Sequence, residues 1–180
     1  MKYTELEKLK LEIQVKAKNG VDFILAASIV WLGIFTIWTL DYKSYDKSIF
    51  TFMFGAILLP LAFGLSKLLK TNWKIKDNKL QPLGLWLNFA QLTYFPFLVF
   101  VMIKSPDYFI MTYAIITGAH LFPYAWFYDE IGYAITAVII SVGSLILALN
   151  LTPEEMYYIP LFAVLSLLLL GIRIFIKRKK

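Results

Sequence analysis

One histidine stands in this chain, His120, and it sits inside an apolar stretch. Histidine is the one side chain whose unperturbed pKa lies near physiological pH, so an apolar segment holding one is a candidate for proton handling or ligand contact. Thr117 precedes His120 by three residues and Tyr124 follows it by four, spacings that put all three on one helix face. The preceding apolar stretch repeats the device: Asn88 and Gln91 are three apart, with Tyr94 three further on. Asn88, Gln91, Tyr94, Thr117, His120 and Tyr124 are therefore the candidate ligand-binding residues. A structural reading competes with this one. A histidine bonded to Asn, Gln or Thr on the next helix ties two membrane helices together. The sequence leaves both readings open.

Other chemistries find no support. The chain has no cysteine, so disulfides, thiolate metal sites and Cys nucleophiles are excluded. A single His without Cys gives no three-ligand metal site unless carboxylates help. There is no G-x-S-x-G elbow and no phosphate-cradling glycine loop. No catalytic residue, metal or cofactor is expected. The acid pairs Asp129–Glu130 and Glu154–Glu155 read as solvated turn residues in short links.

The elements that must position these residues follow from composition. The chain has 180 residues, of which 59% are hydrophobic and 17% charged, with mean hydropathy +0.68. Soluble domains carry roughly 45–50% apolar and about 25% charged residues. Six apolar stretches, at about 22–40, 48–67, 83–104, 108–128, 131–149 and 156–176, are long enough to cross a bilayer as helices. The fold class expected is all-α: an integral membrane bundle of six transmembrane helices (residues 21–180) behind a short, basic, amphipathic N-terminal helix (residues 1–20). Residues 1–20 lack the charge-then-apolar order of a cleaved signal and read as an interfacial arm. Pro60, Pro96 and Pro123 each remove a backbone donor within an apolar stretch, and Pro123 frees the Ala119 carbonyl beside His120. Residues 60–69 and 160–169 share six of ten positions, a weak sign of internal repetition.

Charge sets orientation. The arm has five basic residues, the loop after the second stretch five and the C-terminal end five, against Lys43, Lys47 and Lys104 on the other side. Lys and Arg favour the cytoplasmic side, so both termini are expected there. On that topology Asn88, Gln91 and His120 lie about 9, 14 and 12 Å from the cytoplasmic boundary, at 1.5 Å per residue. They share a level, and the short link Lys104–Asp107 makes their helices neighbours. Most aromatics fall near stretch ends, as interface belts do. Trp31 and Tyr113 lie deeper and are candidates for a pocket wall, and Trp73 falls in the basic second loop, where it can fix that loop to the headgroup layer. Membrane lipids are the expected surroundings, with a small-molecule ligand and a homo-oligomer as candidate partners. The basic clusters lie at membrane edges, so no nucleic-acid partner is expected.

The segment Gly118-Ala119-His120-Leu121-Phe122-Pro123-Tyr124-Ala125-Trp126, with Trp31-Leu32-Gly33 and the basic arm, resembles a family of small bacterial multi-span membrane proteins, domain of unknown function 7010. The resemblance implies six spans in a bacterial cytoplasmic membrane and no activity. Three functions fit the residues. The first is binding, and transport, of a small molecule or lipid through a polar pocket in the cytoplasmic half of the bundle. The second is a non-catalytic accessory, immunity or sensor role through a protein partner. The third is an intramembrane lipid-modifying enzyme using His120, which lacks a convincing second catalytic group.

Overall fold

A computed structural model describes residues 4–178, and among them there are helices and connecting segments but no strand. The first helix, α1 (Glu5–Lys16), opens on a capping box: Thr4 Oγ1 accepts from the Glu7 backbone N–H, and Glu7 Oε2 accepts from the Thr4 N–H at 2.6 Å. A tight reversal through Lys18, Asn19 and Gly20, all at positive φ, then turns the chain into α2 (Val21–Thr39). Gly20 is required there twice over. Its φ is +66°, and a Cβ would lie 2.9 Å from the Tyr128 hydroxyl.

The second and third apolar stretches are each broken in two. α3 (Ser44–Gly55) gives way to α4 (Leu58–Leu69), and α5 (Gln81–Leu92) to α6 (Phe95–Lys104). A proline ring collides with the carbonyl four residues earlier. For Pro60 that residue is Ala56, the cap just past the end of α3, and for Pro96 it is Leu92, the last residue of α5. Pro123 is different: α7 (Phe109–Phe127) runs through it, and α8 (Gly132–Asn150) and α9 (Tyr158–Arg178) complete the bundle.

α2 is the central helix, packed against α9, α4 and α3, while α7 and α8 form the most extensive pair and α9 closes against α8. Trp38 Nε1 donates to Thr51 Oγ1 at 3.0 Å, tying α2 to α3. The α4 and α9 segments that share sequence both flank α2. α5 lies at the periphery against α7 and has no fully buried residue.

Five helical segments among the described residues are long and apolar enough to cross a membrane: 18–39, 44–69, 81–104, 132–150 and 153–177. α7 matches α8 in length at 19 residues but carries Thr112, Thr117, His120 and Tyr124, and is not among the five. Large apolar side chains such as Phe63, Phe100, Val142 and Leu169 face outward around the bundle, as they do where lipid is the solvent.

One end of the bundle gathers the arm, the 70–80 loop, the α7–α8 turn and the end of α9. Asn78 Nδ2 donates to Leu9 O and Glu12 Oε2, the Asn72 N–H to Lys16 O, and Lys18 Nζ to Leu69 O. Tyr133 OH donates to Asn19 O, and Lys10 stands 3.9 Å from Asp129 and 4.7 Å over the Trp126 ring. The expectation that Asp129 and Glu130 are both solvated fails for Glu130. Its side chain is 0% exposed, because Arg173 Nε (2.6 Å) and Lys177 Nζ (2.8 Å) reach back from α9 to its two oxygens. A buried carboxylate is held by such partners rather than by water.

Candidate functional site

The arm, α2, α4, α5 and α7 enclose a cavity of about 240 Å3. Five of the six residues singled out by spacing lie on its wall: Asn88 and Gln91 from α5, and Thr117, His120 and Tyr124 from α7. They converge because each helix presents these residues on one face and the two helices stand side by side. Tyr94 is not brought in. It falls in the break between α5 and α6 and is 57% exposed, since the Pro96 break ends the helical register that would have carried it inward. Trp31 and Tyr113 do line the cavity, stacked with ring centroids 5.3 Å apart.

The polar groups on this wall are poorly used by the protein. Asn88 Nδ2 donates to Gly84 O on its own helix at 3.0 Å, and Tyr124 OH donates to the same carbonyl at 3.1 Å, joining α7 to α5. The side chains of Gln91 and His120 make no hydrogen bond among the described residues, and His120 instead meets Tyr124 edge-on at 5.3 Å between centroids. Thr117 Oγ1 is buried without a partner. Buried polar atoms are nearly always bonded, so an unbonded one facing a cavity has room for a water or another molecule as its partner. A His-to-Asn, Gln or Thr bond, which the structural reading needs, is absent among the described residues.

Sequence reasoning overlooked the floor. Asp22, in the first turn of α2, is 1% exposed and lines the cavity. Its Oδ2 accepts from Thr71 Oγ1 at 2.7 Å and from Trp73 Nε1 at 2.6 Å. Trp73 stacks on Phe23 at 4.7 Å, so the loop is fixed to the bundle through α2. Tyr124, Tyr128 and Tyr133 continue the wall as a cluster, with neighbouring ring centroids 5.5–6.0 Å apart. The only available signal was an acid at the mouth of an apolar helix, and its partners lie about fifty residues away.

The cavity is open on one side. Leu59 on α4 and Leu85 on α5 line it, yet they are 61% and 54% exposed, so the gap lies between these two helices. Among the described residues no cluster of three or more His, Cys, Asp or Glu could hold a metal ion. The arrangement suits noncovalent binding: a part-apolar, part-polar chamber with unspent donors and acceptors, reached from the side of the bundle.

Comparison with known proteins locates the chain without assigning it an activity. Neither a curated protein nor a solved structure matches it. A family profile does, over residues 6–177, and since this is nearly the whole chain, the protein belongs to DUF7010, a family of unknown function.

Proposed function

We propose that this protein is a six-span integral membrane protein of the bacterial cytoplasmic membrane, with both termini in the cytoplasm. Its cavity, in the cytoplasmic half, binds and transports a small molecule or lipid. The observation that carries the reading is the convergence of unpartnered polar groups on one chamber: Gln91, His120 and the buried Thr117 Oγ1. The volume of about 240 Å3 supports a small ligand or a lipid headgroup, since sites for drug-sized molecules run to roughly 300–1,000 Å3. The opening between α4 and α5 supports entry from the membrane. The gathering of the basic arm, loop and C-terminal end at one end of the bundle supports the orientation.

The test is native mass spectrometry of the gently solubilised protein, alone and as His120→Ala. A defined molecule retained by the unaltered chain and lost from a still-folded His120→Ala is the expected result. A ligand-free protein unchanged by that substitution would reduce the chamber to helix packing and favour the protein-partner reading.

A further inference from the structure

The cavity has a sign. Eighteen Lys and Arg residues give the chain a net charge of +6, and most lie near this end of the bundle. Yet no Lys or Arg lines the chamber, and its one acid is Asp22. An acid in the first turn of a helix is ordinary. Burial of that acid without a basic partner is not. The described ion pairs of the molecule use Glu12, Asp129 and Glu130, and none reaches Asp22.

Thr71 and Trp73 both donate to Oδ2, and among the described residues Oδ1 accepts nothing. Two neutral donors fix the carboxyl in place without neutralising it, and a buried carboxylate gains most from a cation. The rest of the wall offers the same preference in another form. Trp73, which is bonded to Asp22, and Tyr128 and Tyr133 are on it at the same end, and aromatic faces attract ammonium groups, most strongly where water is excluded. An anion would meet the Asp22 charge and the negative faces of these rings with no guanidinium or ammonium to offset them.

Resting on the binding role proposed above, we infer that the ligand class is a small organic cation, its ammonium group held between Asp22 Oδ1 and the aromatic wall. Asn88, Gln91, Thr117 and His120 then read the polar remainder of the molecule, and the gap between α4 and α5 admits its apolar part from the membrane side.

Benzyltrimethylammonium and benzylsulfonate, similar in size and opposite in charge, test this on the full chain in phosphatidylcholine nanodiscs. Trp31 and Trp73 on the wall supply a fluorescence readout. The expected result is saturable binding of the cation, no binding of the anion, and an affinity for the cation that falls about tenfold or more in Asp22→Asn. A smaller fall, equal binding of the anion, or silence towards both probes overturns the cation assignment. Should Asp22→Asn fail to fold, the comparison of the two ions on the unaltered chain decides by itself. The two proposals fail separately. A neutral or anionic molecule seen by native mass spectrometry, lost in His120→Ala and kept in Asp22→Asn, leaves the chamber a binding site and removes its preference for cations.

Discussion

Glu130 shows how much one side chain can hold at the end of this bundle. Its Oε1 accepts from Arg173 Nε and from the Gly132 backbone N–H at 2.9 Å, and Lys177 stands at Oε2. Burial pushes the carboxyl up, but Lys177, Arg173 and the Gly132 N–H pull it down further, and its pKa lies below the ordinary value. A depressed folded-state pKa gives stability that is fully present above the unfolded value, about 4.3, and is lost as pH falls through the folded one. The thermal midpoint should therefore drop on acidification below about pH 4.3, and Glu130→Gln should flatten part of that drop. At neutral pH the same substitution should cost about 1–3 kcal/mol, because Arg173 and Lys177 are half exposed and partly recover water. Circular dichroism melts of both proteins from neutral to acidic pH check each statement; equal melts at every pH would refute them. Neither Glu130 nor Asp22 could be assigned from sequence. Their partners lie 43 to 51 residues away, and no local spacing encodes such pairs. Thr117, His120 and Tyr124 were legible because helical spacing is local.

At the scale of elements, proline arithmetic was readable and its consequence was underused. Ala56 and Leu92 stand four residues before Pro60 and Pro96, so both helix ends could have been placed from the chain alone. Drawing each stretch as one continuous helix kept Tyr94 on the site face, and the break is what removes it. The reversal at Lys18–Gly20 is the other decisive joint, since it lays α1 beneath the cavity, where Ile13 and Ala17 line it. Gly20→Ala imposes a side chain at φ +66° and pushes on Tyr128. It should destabilise by about 1–3 kcal/mol and expose the arm to protease. Gly64→Ala is the matching control: nothing lies within 4 Å of its added Cβ, so its melting temperature should stay level or rise slightly. Parallel thermal melts and limited proteolysis of the two variants separate backbone strain from a general effect of adding a methyl group.

For the whole molecule, the membrane environment was legible from composition, while the number of crossings turns on α7. The polar side chains that α7 presents to the cavity also lower its hydropathy, which keeps it out of the five segments apolar enough to cross. A polar helix is tolerated in a bilayer when its polar face is turned inward. α7 satisfies this: Thr112 and Tyr124 are buried, Thr117 and His120 face the chamber, and Phe122 and Trp126 point outward. Chain direction then makes the count testable. With α7 crossing, and in the orientation proposed above, Lys74 and Asp129 lie on the cytoplasmic side and Lys43 and Glu154 on the other. The absence of native cysteines makes single-cysteine labelling clean, and all four positions are exposed. A membrane-impermeant maleimide applied to intact bacterial cells should label Lys43→Cys and Glu154→Cys, and should label Lys74→Cys and Asp129→Cys only after permeabilisation. If α7 did not cross, Asp129→Cys would react in intact cells while Lys74→Cys stayed protected. That pattern would split the basic end of the bundle across two compartments. It would also part Lys10 from Asp129 and Tyr133 from Asn19, contacts that the fold places side by side. Six crossings keep every one of these contacts in a single compartment.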